Sequence, residues 1–100
     1  MFKSFRTYEL ASLFYKECQK LEVRGAIKNQ LDRAVLSVPL NLAEGRGRRT
    51  LTDQKHFFQI AYGSLKETQA ILDISDASPK TLALADSLGA HLYRLIQNAR

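Results

Sequence analysis

Residues 37–50 read SVPLNLAEGRGRRT, and this stretch joins two different kinds of sequence. Its first half carries apolar residues at helical spacing, including Val38 and Leu42, on either side of a proline and an asparagine. Its second half alternates glycine with arginine. Because glycine after the last periodic residue commonly stops a helix, the pattern predicts a helix that ends at Gly45 and a basic turn that follows it.

The helical spacing continues on both sides of this stretch and predicts four helices, with no strand pattern between them. The predicted helices span residues 5–22, 25–44, 51–74 and 79–97. Thr50 and Ser78 stand where capping residues are favoured, and Pro79 suits the first position of a helix. Short connections favour antiparallel neighbours. The sequence therefore predicts an all-α, antiparallel up-down four-helix bundle.

The length of 100 residues predicts one domain, residues 1–100. With 45% hydrophobic residues, five glycines and two prolines, the composition is that of a globular protein. The single cysteine, Cys18, forms no internal disulfide, and the N-terminus lacks the pattern of a secretory signal. No apolar run approaches the roughly 20 residues that a membrane-spanning helix needs. We therefore expect a cytoplasmic protein with no membrane contact.

The apolar faces of the first three predicted helices are too wide for a single core. In the second helix, Leu36, Leu40 and Ala43 lie off the stripe that contains Leu31 and Val35. A small isolated bundle has no further element to cover a second apolar face. This width predicts that the chain forms a homo-oligomer.

Several residues around the proline are interpreted as a structural joint. Pro39 lacks an N–H and crowds the carbonyl of Val35, which costs about 3 kcal/mol inside a regular helix. Asn41 offers side-chain donors and an acceptor to backbone groups that a kink leaves free, or to a neighbouring helix end. Gly63 costs about 1 kcal/mol relative to alanine inside a helix, so it predicts a close helix contact. The structural motif comprises Ser37, Pro39, Asn41, Glu44, Gly45, Gly47 and Gly63.

The turn after this helix is the strongest candidate for binding an anion. The net charge of the chain is +5, and residues 25–50 contain five basic and two acidic residues. Arginine forks bind phosphate oxygens in pairs, and glycines bring three of them together here. The alternative is that this turn is only a solvent-exposed connection between two helices, whose basic residues bind no ligand. The candidate nucleic-acid-binding residues are Arg46, Arg48 and Arg49, with Arg24, Lys28 and Arg33 as extensions.

The sequence offers little for catalysis. His56 and His91 lie on different predicted helices without a cysteine or paired carboxylate at ligand spacing. No Glu-x-x-His pair is present, so the di-iron chemistry of some helical bundles is disfavoured. Cys18 shares an apolar stripe with Tyr15 and is interpreted as a core residue. We therefore expect no enzymatic activity, no catalytic residue, no metal and no cofactor.

Two blocks of the sequence resemble a known family. The first block consists of Ser37, Val38, Pro39, Asn41, Ala43, Glu44, Gly45, Gly47, Arg48 and Thr50, and the second of Phe57, Ala61, Gly63, Ser64 and Glu67. They resemble the bacterial four-helix-bundle proteins encoded by intervening sequences of 23S rRNA genes. The resemblance implies a left-handed bundle that assembles into a ring-shaped homopentamer. It also implies kinship with accessory proteins of diversity-generating retroelements, which engage a reverse transcriptase and nucleic acid.

Two functions follow as hypotheses. The first is a non-enzymatic oligomeric protein that contacts RNA or DNA phosphates through its basic loop. The alternative is a homo-oligomeric protein-interaction scaffold, such as a reverse-transcriptase accessory, with no direct contact to nucleic acid. Their responses to salt distinguish them, because only phosphate binding weakens steeply as the salt concentration rises.

Overall fold

A computed structural model describes residues 5–99, and these residues form an all-α four-helix bundle without a strand. The helices are α1 (Arg6–Cys18), α2 (Gly25–Arg46), α3 (Leu51–Ile74) and α4 (Pro79–Asn98). Each helix packs against two others, in the order α1, α2, α3, α4 and back to α1. Successive helices joined by short connections therefore run in opposite directions, as the up-down topology requires. None of the described helices is long and apolar enough to cross a membrane.

The starts of α3 and α4 are set by side-chain caps. The Thr50 hydroxyl oxygen accepts a hydrogen bond from the N–H of Asp53 at 3.1 Å. The Ser78 hydroxyl oxygen accepts one from the N–H of Thr81 at 3.3 Å. Each bond satisfies one of the N–H groups that a helix start leaves without an intrahelical partner. Both predicted caps are present.

The first helix is shorter than predicted. The prediction of a helix over residues 5–22 was wrong at its end, because α1 stops at Cys18. Beyond it, the N–H groups of Lys20 and Leu21 donate to carbonyls three residues back, at 3.1 and 3.2 Å, so the chain tightens into turns. Leu21 and Val23 extended the apolar pattern in the sequence, but they pack against the core from the connection.

The second helix is longer than predicted, and the reason is Gly45. This residue does not stop α2, which continues to Arg46 and is capped by Gly47 in a right-handed conformation with φ −82°. Gly45 is buried, and a Cβ built on it would lie 2.6 Å from Cε1 of Phe58 and 3.1 Å from the carbonyl oxygen of Gln54. Glycine therefore lets the end of α2 approach the start of α3.

The proline lies within α2 without interrupting it, since α2 is continuous through a buried Pro39. The Asn41 amide donates to the Ser37 carbonyl at 2.8 Å and to the Ser37 hydroxyl at 2.9 Å. That hydroxyl in turn shares a 2.7 Å hydrogen bond with Ser64 on α3. The carbonyl of Val35, which Pro39 leaves without its helical donor, is not among the groups that Asn41 contacts. Asn41 instead orients a polar link between α2 and α3.

The core contains large apolar side chains from all four helices. The largest fully buried ones are Phe14, Leu31, Leu42, Leu65, Leu72, Leu88 and Leu92. Cys18 is 1% exposed and belongs to this core. Its burial, with lesser contributions from Glu17 and Asp32, raises the pKa of the thiol from 9.0 to about 12. The thiol is therefore neutral in the folded chain over the ordinary pH range.

This pKa predicts a specific loss of stability at high pH. The neutral thiol is favoured in the folded state, so its contribution is complete below pH 9 and is lost as the pH rises towards 12. We expect the free energy of unfolding to fall by up to about 1.4 kcal/mol per pH unit in this window. Urea denaturation of the wild type and Cys18→Ala from pH 8 to 11 measures the effect. The variant lacks this component, so parallel pH profiles contradict the prediction.

Candidate nucleic-acid interface

Basic charge is concentrated at one end of the bundle. The topology brings together the start of α1, the end of α2, the start of α3 and the end of α4. Within about one helical turn of these termini, or in the α2–α3 connection, lie six basic and three acidic residues. They are Arg6, Arg46, Arg48, Arg49, Lys55 and Arg94, with Glu9, Glu44 and Asp53. The rest of the described chain carries seven charges of each sign. We call this region the basic end, and it accounts for the net positive charge of the described residues.

Two arginines of the α2–α3 connection, in which we include Arg46 as the last residue of α2, are held against aromatic rings. The guanidinium carbon of Arg46 lies 4.7 Å from the centroid of the Phe5 ring. That of Arg48 lies 4.6 Å from the centroid of the Phe57 ring, and Nη2 of Arg48 donates to Glu44 at 2.7 Å. Cation–π contacts and ion pairs restrict the rotamers of both side chains. These two guanidinium groups are consequently ordered before any ligand arrives.

The third arginine of the connection has no such restraint. Arg49 is exposed and forms no hydrogen bond or ion pair with the other described residues. The backbone beside it is anchored, because the Gln54 amide donates to the Arg48 carbonyl at 2.9 Å. The Thr50 cap fixes the next residue along. An anchored backbone thus presents a side chain whose five N–H donors are available to a ligand.

The other predicted binding residues lie elsewhere. Arg24 precedes α2, whose 22 residues span about 33 Å, so it lies at the opposite end of the bundle. Lys28 is near that end and bonds to Asp32 at 3.1 Å. Arg33 lines a polar depression with Gln30 and Glu67, about midway along the helix. The six predicted residues therefore form no single patch, and only the three of the α2–α3 connection belong to the basic end.

Three basic residues of this end were missed by the sequence analysis. Arg6, Lys55 and Arg94 belong to α1, α3 and α4, and α1 and α4 are distant in sequence from the α2–α3 connection. A signal was available, because an up-down bundle places the start of the first helix and the end of the last beside the second connection. A charge count along the sequence cannot show this convergence.

A second surface lies along the groove between α2 and α3. The Ser37–Ser64 hydrogen bond shows which positions of α2 and α3 lie opposite each other. One turn from it towards the basic end, Leu40 on α2 and Ile60 on α3 flank the groove, and they are 58% and 39% exposed. Leu36, one turn before Leu40, is also exposed. We call Leu36, Leu40 and Ile60 the apolar face.

Gly63 lies beside this apolar face. It is exposed, and a Cβ built on it meets no atom within 4 Å. The predicted close helix contact at Gly63 is therefore not made among residues 5–99. The physical reason is its position, three residues after the exposed Ile60 and away from the buried side of α3.

The comparison with protein families decides what kind of chain this is. The family model described as 23S rRNA-intervening sequence protein matches residues 3–92. The chain belongs to this family. No individual curated protein matches it. The match spans α1, α2, α3 and most of α4, so it covers the apolar face and all of the basic end except Arg94.

In this member of the 23S rRNA-intervening sequence protein family, the two motif blocks lie on adjacent helices. The first block ends α2 and forms the connection, and the second lies in α3. They meet at the Ser37–Ser64 bond and the Arg48–Phe57 contact, and Gly45 of the first block also lies against Phe58, beside Phe57. The motif residues thus build the α2–α3 joint and orient the connection that carries the arginines.

Residues suited to metal or acid–base chemistry are scattered. Within residues 5–99 there is no group of three or more His, Cys, Asp or Glu side chains placed to hold a metal ion. His56 packs edge-on against Phe57, with centroids 5.2 Å apart. Nδ1 of His91 lies 2.9 Å from the carbonyl oxygen of Ser87. Each histidine therefore has a local contact on its own helix.

Proposed function

We propose that this family member acts in the cytoplasm as a non-enzymatic, homo-oligomeric protein that binds RNA or DNA phosphates at its basic end. One observation carries the proposal: the positive charge of the described chain collects at one end, while the rest is balanced. Arginine forks bind phosphate oxygens in bidentate pairs. Arg46 and Arg48 are already ordered by aromatic contacts, so less side-chain entropy is lost when they bind.

The proposal of a homo-oligomer is supported by the apolar face. Leu40 and Ile60 are exposed on the two sides of the groove, and no element among the described residues covers them. The neighbouring Gly63 leaves room for a second backbone to approach closely. A second copy of the chain is the proposed occupant, in the ring-shaped pentamer that the family resemblance implies. A ring repeats the basic end, so weak phosphate contacts add through multivalency.

A scaffold that binds a protein, such as a reverse transcriptase, is the second candidate function. The same apolar face supports it, because exposed apolar patches commonly mark protein interfaces. Under this alternative, the contacts of Arg46 with Phe5 and of Arg48 with Glu44 serve only to stabilise the connection. The two functions differ in whether the purified protein binds nucleic acid without a partner.

Removing the arginines of the connection tests the proposed function. We expect Arg46, Arg48 and Arg49 changed together to alanine to weaken binding of duplex DNA at least about tenfold at ~0.1 M salt. The slope of log affinity against log salt is expected to become shallower by roughly 2 to 3, since each phosphate contact contributes about 0.9. Fluorescence anisotropy across salt concentrations measures both quantities.

The matched control removes the same charge elsewhere. Arg24, Lys28 and Arg33 changed together to alanine also lose three positive charges, but these residues lie away from the basic end. This variant is expected to bind within about threefold of the wild type, because distant exposed charges are screened at this salt concentration. Equal losses in the two variants contradict a local site. A well-formed oligomer that binds no nucleic acid even at low salt overturns the proposed function.

A further inference from the structure

A cavity of about 160 Å³ opens at the basic end, where all four helices meet. Its floor is apolar and includes Phe5, Phe58 and Leu95. The two phenylalanines are 4% and 3% exposed, so the floor is part of the core. Arg46 and Asn98 add polar groups to the exposed rim. The basic end thus combines phosphate-binding side chains with a small apolar cavity.

We propose that this cavity binds one unpaired pyrimidine base of a single-stranded RNA or DNA, while the adjoining phosphates contact the arginines. The inference rests on the proposed function and adds its substrate class. Single-stranded nucleic acids are recognised through bases that leave the stack and enter apolar or aromatic sites. A duplex keeps its bases inside the helix, so it offers phosphates and no free base.

The volume of the cavity matches a single ring. A protein cavity of roughly 150 Å³ lined by leucine, isoleucine and phenylalanine accommodates benzene. The cavity here has about that volume, opens to solvent on one side, and is lined by five apolar and three polar residues. A pyrimidine is one six-membered ring, whereas a purine has two fused rings and would leave part of its second ring outside this space. The cavity therefore favours pyrimidines by size.

The polar rim suits the edge of a pyrimidine, which presents both donors and acceptors. The side-chain amide of Asn98 offers both, and it forms no hydrogen bond with other described residues. Gln54 uses its amide nitrogen to bind the Arg48 carbonyl, so its oxygen remains an acceptor. The guanidinium of Arg46 supplies donors above the Phe5 ring. The rim can thus pair with a base whose ring lies on the apolar floor.

The arginines next to the cavity would hold a nucleic acid strand close to its opening. Arg46 both lines the cavity and belongs to the connection that carries Arg48 and Arg49. A base in the cavity brings its own phosphates within reach of these side chains, because base and phosphate are joined through one sugar. Base and phosphate contacts therefore reinforce each other, as intramolecular binding events do.

The test compares oligonucleotides of equal length in fluorescence anisotropy at one salt concentration. The probes are single-stranded dT12, dA12, an abasic 12-mer with the same backbone, and a 12-base-pair duplex. We expect dT12 to bind roughly 5- to 150-fold more tightly than the abasic strand, the range that one stacked base contributes. Adenine and abasic strands are expected to bind alike. If free uridine monophosphate competes for the protein as strongly as dT12 does, the site binds a mononucleotide, and the assignment to a single strand is overturned.

Two variants localise the effect. Leu51 lies at the exposed rim, so Leu51→Trp fills the cavity without changing charge or the buried floor. This variant is expected to bind dT12 only as tightly as the abasic strand, and to bind the abasic strand with the affinity of the wild type. Asn98→Ala removes the polar edge and is expected to act in the same direction, should the tryptophan variant not fold.

The outcomes separate this inference from the proposed function. Equal affinities for dT12, dA12 and the abasic strand overturn the base site and leave phosphate binding intact. Unchanged thymidine preference in both folded variants also overturns it. Binding of no probe at low salt overturns phosphate binding itself.

Discussion

Replacing Gly45 with alanine is expected to destabilise the folded chain by about 2 kcal/mol, the opposite of what alanine usually does inside a helix. The added Cβ would lie 2.6 Å from a ring carbon of Phe58 and 3.1 Å from the Gln54 carbonyl oxygen. Neither neighbour can move cheaply, since one is backbone and the ring of Phe58 packs against that of Phe5 at 6.3 Å. The better helix propensity of alanine offsets only about 1 kcal/mol of this crowding.

Gly89→Ala is the matched control for this crowding. Gly89 lies inside α4, and its added Cβ would lie 3.6 Å from a methyl carbon of Leu65, an ordinary contact. This variant is expected to stabilise the chain by about 0.5 to 1 kcal/mol. Urea denaturation of both variants measures the free energies of unfolding. A Gly45→Ala variant as stable as the wild type means that α2 and α3 are not in close contact here.

Leu40→Glu is expected to convert the proposed homo-oligomer into monomers of 11.3 kDa. Leu40 is the most exposed residue of the apolar face, and self-association would bury its side chain. A glutamate there loses its hydration without gaining a partner, which costs several kcal/mol at every interface of the assembly. Light scattering combined with size-exclusion chromatography measures the mass directly.

Leu82→Glu provides the comparison for this variant. Leu82 is 41% exposed on α4, outside the α2–α3 groove. The same charge introduced there is expected to leave the oligomer unchanged. If Leu40→Glu retains the mass of the wild type, the apolar face is not the subunit interface. A wild-type mass of 11.3 kDa contradicts self-association altogether.

Local signals in the sequence were sufficient for much of the fold. The caps at Thr50 and Ser78 act through neighbours three residues away, so both helix starts were predictable. The end of α1 was not, because Leu21 continues the apolar pattern after the helix has ended. Gly45 shows a further limit. Glycine serves equally as a helix stop and as a point of close packing, and only the position of Phe58 distinguishes the two.

The candidate site was predictable only where it is contiguous in sequence. The arginines of the α2–α3 connection are neighbours in the chain, so their clustering was evident. Arg24 was grouped with them because it lies at the start of the same helix, although the length of that helix separates it from Arg46. Arg6 and Arg94 reach the same end through the topology. The small cavity has no sequence signature. Its lining residues are ordinary apolar and polar residues, which the sequence alone assigns to the core or to the surface.

Phe5 and Ala99, the first and last residues that the structure describes, border the same cavity, and this has a practical consequence for engineering. A purification tag or fusion partner joined directly to either of these residues begins beside the arginines. The connection of residues 19–24 lies at the opposite end of the bundle. A circular permutant that joins the old termini and opens the chain within 19–24 carries its new ends, and any tag, on the far side. Such a permutant offers an unobstructed surface for immobilised binding assays.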